Sequence, residues 1–423
     1  MKEHIKRLPK EIQDLIYLAS DIARKNNMPA YLVGGFVRDL IFAVGNLDLD
    51  ITVEGDGIKF AEDFANALKA KLIRHKRFGT ATVILRRNLK IDIASARSET
   101  YPHPASLPVV TPGPLKKDLA RRDFTINAMA ISINRHDFAS LIDIFSGKDD
   151  LENKKIRVLH GLSFIDDPTR ILRAIRFATR YSFKLESNTL RLLKEALKIK
   201  MLEKVQPQRL RDELILILKE NYPLKQIRQL ERLAGFNFIS PHMSLSKSGW
   251  KFLRSLEREI KWFTKAYPSR RLLDIWLIYL IGLMDALGIN KAKSICRNFV
   301  FCKGEEKRIL SYKRISPKFV LDLSSSKIKP SRIFSLLEPL SYEIILLIKA
   351  KYNNRYIQGH IEDFFEIYNG MRIYVSGHDL HSLGVKPGPN YQRIFSRVLS
   401  AKLNGLVETK EEELSLIRQL IKI

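Results

Sequence analysis

The amino-acid sequence predicts an α+β protein, a small mixed α/β head followed by an all-helical remainder. Two patterns and a length carry that expectation. Residues 28–145 alternate short apolar runs with helical periods, whereas from about residue 163 onward the period is helical throughout. At 423 residues the chain also exceeds what one hydrophobic core holds, so two or more domains are expected.

The chain opens with MKEHIKRLPKEIQDLIYLASDIARK, an amphipathic helical pattern whose acidic residues argue against a transit peptide. AYLVGG (30–35) reads as a strand running into Gly34 and Gly35, followed by a helix that carries Arg38 and Asp39. Paired glycines let a backbone approach a ligand closely, and the helix N-terminus behind them offers free N–H groups to phosphate. LDLDITV (47–53) is the next strand. Side chains alternate along it, so Asp48, Asp50 and Thr52 share one face and Leu47, Leu49, Ile51 and Val53 the other. Two positions along is roughly 6.6 Å between α-carbons, near enough for both carboxylates to lean onto one hard cation. Mg²⁺ held by carboxylates and substrate phosphates would remove their repulsion; a solvated acidic face on an edge strand is the plain alternative.

IKFAEDFANALKAKL (58–72) reads as a helix, and ATVILRR (81–87) and LKIDIASA (89–96) as strands. In the last of these, Leu89, Ile91 and Ile93 face one way and Lys90, Asp92 and Ala94 the other. Asp92 is thus a third acid on a polar strand face, either catalytic or paired with Lys90 or Arg97. Three carboxylates around a divalent pair are what in-line nucleotidyl transfer requires.

The helical remainder includes DPTRILRAIRFATRYSF, ESNTLRLLKEALKIKML, PQRLRDELILILKE and SGWKFLRSLEREIKWFTKAY, with loop signals at 237–249 and 322–332. Its longest apolar run, IWLIYLIGLM from Ile275 to Met284, is about half the length that spans a bilayer and reads as a buried helix. Cys296 and Cys302 have neither disulfide nor zinc spacing and read as buried thiols in a reducing cytosol. With 73 Lys+Arg against 46 Asp+Glu, the formal charge is +27. Such an excess predicts a polyanionic partner, nucleic acid first and an anionic membrane second.

LVGGFVRD with LDLDITV, then ARSETYPHPASLPVV, DLARRDFTINAMA, LIDIFSGKDDL, FIDDPTRILRAIRFA and PQRLRDEL occur in a telling order and spacing. Over about residues 28–215 the chain resembles the bacterial-type (class II) tRNA nucleotidyltransferases, which include CCA-adding, CC-adding and A-adding enzymes and bacterial poly(A) polymerases. The resemblance implies a nucleotidyltransferase head (1–145), a helical neck bearing the base-selecting motif (146–215), a helical body (216–325) and an RNA-binding helical tail (326–423). By position, it makes Asp48 and Asp50 catalytic metal ligands for Mg²⁺ and Asp92 the third catalytic carboxylate. Gly34, Gly35 and Arg38 would sit at the triphosphate, and Arg121, Arg122, Asp123 and Asn127 at the nucleotide's sugar and phosphates. Arg173, Arg176 and Arg209 complete the implied nucleotide-binding set.

In DDPTRILRAIRF, Asp167 precedes Pro168 at a capped helix start and Arg170 lies three residues on, along one helical face. The family's equivalent pair reads the incoming base. Adenine and cytosine both present an amino donor beside a bare ring nitrogen, which one carboxylate and one guanidinium complement. Guanine and uracil reverse that order, at about 1–3 kcal/mol per wrong contact. A surface ion pair is the plain alternative, and Asp166 departs from the glutamate usual in the family. The proline-rich RSETYPHPASLPVVTPGPL (97–115) matches the family's flexible loop, shortened or lost in CC-only members, and so implies addition of the terminal A. The expected activity is template-independent extension of the tRNA 3′ end in the cytoplasm from ATP, with CTP as the companion substrate. An A-adding partner of a separate CC-adding enzyme, a poly(A) polymerase and a non-catalytic RNA-binding protein are the rivals.

Overall fold

In the first of two compact units, Met1–His242, a seven-stranded sheet forms among the described residues, in the order β3-β4-β5-β2-β1-β8-β9. The computed structural model describes residues 1–43, 45, 48–76, 79–85 and 89–421. The strands are β1 (Ala30–Val33), β2 (Leu49–Val53), β3 (Lys71–His75), β4 (Thr80–Ile84), β5 (Lys90–Ser95), β8 (Ala130–Ser132) and β9 (Leu141–Ile142). β6 (Arg97–Thr100) and β7 (Val109–Pro112) pair with each other as a separate antiparallel ribbon. In the large sheet β2 and β5 run parallel, and the other pairings are antiparallel.

The alternation expected of β2 is present in part: Leu49, Ile51 and Val53 are buried at no more than 1% exposure while Asp50 is half-buried, but Thr52 on the face of Asp50 is buried as well. Leu47 and the Arg86–Arg87 end of the ATVILRR run lie outside the described residues. The helix expected over 58–72 differs. It spans Gly57–Leu68, capped by Asp56, whose carboxylate accepts from Ile58 and Lys59 N–H. Lys69 then takes a left-handed conformation (φ 50°) and turns the chain into β3. Its basic sequence, KLIRH, hid β3, which is an edge strand mostly exposed on both faces and so has no apolar period to read.

After the sheet the unit is largely helical. The helix Thr169–Tyr181 packs against Pro207–Leu218 and Pro223–Leu233. Leu172, Ile175 and their neighbours form the inner face, and Arg173 and Arg180 remain on the wetter side.

The second unit, Met243–Ile423, contains helices and no strand among its described residues. Ile275–Leu283 is the buried centre, as its unbroken apolar run predicts, and Lys247–Ala266 and Tyr342–Lys351 pack on it. Buried Glu343 accepts both Nη atoms of Arg271, at 2.9 and 2.7 Å. Cys296 is buried, but Cys302 is exposed, against the expectation, because it occupies the cap position ahead of the helix Lys303–Lys313. No helix among the described residues is long and apolar enough to cross a membrane.

Candidate active site

β2 and β5 set their acids side by side, since their parallel register places Asp50 opposite Asp92. Asp48 lies immediately before β2 and is exposed, so the three carboxylates gather at one end of the sheet. Thr82 on β4 donates its hydroxyl to Asp92 Oδ1 at 2.6 Å. Arg97 bonds Glu99. Burial pushes the Asp50 carboxyl up to about 6, and the facing charge of Asp92 adds to it against the pull of Arg122. Two hard oxygen donors crowded in this way are short of positive charge.

Asp50 opens onto a cleft of about 470 Å³. Gly34 and Gly35 form one wall, where Gly34 has φ +66° and a Cβ would lie 2.6 Å from Arg122 Nη1. The positive φ favours glycine there, and the missing Cβ leaves room for the Arg122 guanidinium. Buried Arg38 donates Nη1 to Asn127 Oδ1 (2.6 Å) and two further N–H groups to Asp39, with its guanidinium 4.9 Å from the Tyr181 ring centre. Arg121 and Arg122 both bond Asp118. Burial works against ionisation of Asp118, but the charges of Arg122 and Arg121 outweigh it and hold the carboxyl below its usual range. Asp123 accepts from its neighbour Phe124 N–H and from Asn127, and pairs with Arg173 at 2.8 Å. Burial again opposes its charge, and the Arg173 guanidinium prevails. Glu213 then bridges Arg173 and Arg176, and Glu220 bridges Arg176 and Arg180.

At the helical end of the same cleft lie Asp167 and Arg170. The expected cap holds: Asp167 Oδ1 accepts from the Thr169 N–H and hydroxyl, at 3.1 and 2.6 Å. Its ion-pair partner, however, is Arg209 (2.8 Å), which is not among the residues lining the cleft. Buried Arg170 donates to Ser163 Oγ (2.8 Å) and to the Arg121 carbonyl oxygen (2.7 Å). The two are held separately, which removes the surface ion pair as an account of their spacing.

Gly34, Gly35, Arg38, Asp50, Arg121, Arg122, Asp123, Asn127, Asp167, Arg170, Arg173 and Arg176 therefore line one cleft, while Asp48, Asp92 and Arg209 adjoin it through their neighbours. Glu99, Tyr101 and Phe177 line it too and were not anticipated, and Arg180, which continues the arginine row of the same helix, joins them. For the first two a signal existed: Arg97, Glu99 and Tyr101 alternate at strand period within a stretch that its prolines make look structureless.

In-register strand carboxylates beside an arginine-lined cleft define a nucleotidyltransferase head. The comparisons with known proteins say which kind. Residues 30–157 match the poly A polymerase head domain, and residues 182–246 the probable RNA and SrmB-binding site of polymerase A. An A-adding tRNA nucleotidyltransferase of Geobacter sulfurreducens is 36% identical over 98% of this chain, which spans about half (48%) of that relative's length. One from Halalkalibacterium halodurans is 31% identical over 96% of this chain and 92% of its own. A solved Thermotoga maritima CCA-adding enzyme complexed with tRNA superposes with a TM-score of 0.74 at 35% identity, covering 99% of this chain and 98% of that one. The chain belongs to the tRNA nucleotidyltransferase and poly(A) polymerase family, whose nucleotidyltransferases use divalent metal ions.

Proposed function

We propose that this enzyme extends the 3′ end of tRNA without a nucleic-acid template, adding the terminal A from ATP with CTP as the companion substrate, and releasing pyrophosphate. One observation carries the reading: a single cleft is lined both by Asp50 and by the separately anchored Asp167 and Arg170. Reacting groups and base-reading groups thus share one nucleotide-sized space.

Asp48, Asp50 and Asp92 are the metal-holding and catalytic carboxylates in this reading. Their hard oxygen donors, and the raised carboxyl of Asp50, suit Mg²⁺. Bound there, Mg²⁺ would supply Lewis-acid stabilisation to the attacking 3′-hydroxyl and the leaving pyrophosphate. The chain's own residues bind and orient. Gly34, Gly35 and Arg38 face the triphosphate, and Arg121, Arg122, Asp123 and Asn127 hold sugar and phosphates, with Arg173 and Arg176 extending the cationic wall. Asp167 Oδ1 is occupied by Thr169 and Arg209, so its Oδ2 accepts the amino group of adenine or cytosine, and Arg170 donates to the neighbouring ring nitrogen. Residues 1–145 are then the head, 146–215 the neck, 216–325 the body and 326–423 the tRNA-binding tail of a cytoplasmic enzyme.

Two A-adding relatives above 30% identity support terminal A addition, and the Thermotoga likeness favours full CCA synthesis as a second reading. The test supplies each nucleoside triphosphate singly to tRNA lacking CCA, tRNA lacking only A, and an unrelated RNA. AMP on tRNA lacking only A is the expected result, and CMP on tRNA lacking CCA selects the second reading. Long A tails on unrelated RNA, or no incorporation at all, would refute both.

A further inference from the structure

Glu99 sits where the β6–β7 ribbon meets the cleft, with its side chain 7% exposed. Both of its oxygens are engaged. Oε1 accepts from Arg97 Nη2 and from Arg121 Nη1, each at 3.0 Å, and Oε2 accepts the Tyr101 hydroxyl at 3.2 Å. Arg121 gives its remaining contacts to Asp118, so two carboxylates fix that side chain from opposite ends. The Arg121 backbone is equally committed, because its carbonyl oxygen takes Arg170 Nη2 at 2.7 Å. One residue therefore joins Glu99 to Arg170. Tyr101 lines the cleft with them.

A guanidinium discriminates between bases only while its fork is held near one orientation, to within about 10–20°. Arg170 has two fixed acceptors for that purpose, Ser163 Oγ and the Arg121 carbonyl oxygen. Ser163 belongs to a short helix beside it, whereas the Arg121 carbonyl lies at the end of the helix Leu115–Ala120, on a residue whose side chain Glu99 and Asp118 hold. We propose that Glu99 is a positioning residue for base choice: by clamping Arg121 and Tyr101 it holds the carbonyl that aims Arg170, and it ties the β6–β7 ribbon to the base-reading end of the cleft. The inference rests on Asp167 and Arg170 being the base-reading pair. Glu99 itself touches no reacting atom.

The experiment measures kcat and KM for all four nucleoside triphosphates in single additions to tRNA lacking only A. It compares the wild type with Glu99→Gln, Tyr101→Phe and Arg170→Ala, and records the thermal midpoint of each. Glu99→Gln keeps the shape and removes the charge that Arg97 and Arg121 share. It is expected to lower the ATP-to-UTP ratio of kcat/KM by roughly tenfold, through KM for ATP more than through kcat. Tyr101→Phe deletes one hydroxyl and should move the ratio the same way by about twofold, and it decides alone if Glu99→Gln does not fold. A clamp that merely stabilises the ribbon would lower all four rates together with the thermal midpoint. If both variants keep the wild-type ratio while Arg170→Ala relaxes it, the inference is overturned and the base-reading pair stands. If Arg170→Ala also leaves the ratio unchanged, the base-reading assignment and this inference fail together.

Discussion

Replacing Arg209 by glutamine separates two roles for a residue that the sequence placed among the nucleotide-binding groups. Arg209 contacts Asp167 Oδ1 at 2.8 Å, with side chains 24% and 16% exposed, and its own Nη1 is buried without a hydrogen-bond partner. Its guanidinium is thus directed at Asp167. Losing a charge-assisted hydrogen bond costs about 1.5–3 kcal/mol when well buried. Partial exposure and the two surviving bonds from Thr169 put the cost here just below that range, at about 1.4 kcal/mol, or tenfold in kcat/KM. Because a base contact is made equally in the ground and transition states, the loss should fall mainly on KM for ATP. The assay is a double-mutant cycle with Asp167→Asn, read as kcat/KM for single AMP addition to tRNA lacking only A. A residue acting through Asp167 gives strong non-additivity, since the second change has little left to remove. If the two effects add within about 0.5 kcal/mol, Arg209 works independently of Asp167 and the positioning argument is wrong.

Asp50→Asn should lower single-nucleotide transfer by at least about 10²–10³-fold while leaving tRNA affinity within about twofold; near-normal turnover would dismiss Asp50 as a metal ligand. Affinity for tRNA should fall steeply with salt, by more than about tenfold between about 50 and 200 mM, and a flat titration would contradict an electrostatic interface. In the second unit, burial disfavours the charge on Glu343, but hydrogen bonds from Arg271 and from the Asp274 N–H overcome it and hold the carboxyl down at about 2. A folded carboxyl depressed below its unfolded value of 4.5 contributes stability above that pH and loses it as pH falls toward about 2. With Arg271 half-exposed, that contribution is on the order of 2 kcal/mol. Glu343→Gln should therefore be less stable at neutral pH and flatten the acid limb of a denaturation series. An unchanged limb would show that the pair carries no such linkage.

How far the site was legible depended on whether its geometry is local. Asp50 and Asp92 could be placed because strand alternation alone fixes the face of each, and buried Leu49, Ile51 and Ile93 supply the contrast. The Asp167 cap was legible for the same reason, its partner being two residues away. That β2 and β5 are neighbours in register is a fact of sheet topology, and no period in either strand encodes it. Arg170 and the carbonyl it donates to stand 49 residues apart, and Glu99 and Arg121 stand 22 apart. The first contact exists only once the head and the following helices have packed, and the second only once the head itself has folded. β3 and the β6–β7 ribbon escaped notice because exposed strands carry no apolar contrast, and prolines at 102, 104 and 108 mask the alternation around Glu99.

In the proposed reading, the same packing lets a protein surface take over the work of a template. A pairing nucleotide discriminates because its donors and acceptors are rigid, whereas arginine and aspartate side chains in water are not. Here nearly every group that would meet the nucleotide is already bonded elsewhere: Arg38 to Asp39 and Asn127, Arg121 to Asp118 and Glu99, Arg173 to Asp123 and Glu213, Asp167 to Thr169 and Arg209. Each guanidinium has five N–H donors, so two or three anchoring bonds still leave donors for the ligand. The carboxylates among these arginines do not cancel the cleft's purpose. In the proposed reading they fix its cations before substrate arrives, so little ordering would remain to oppose binding, and a base with reversed donors would meet groups that cannot turn to accommodate it.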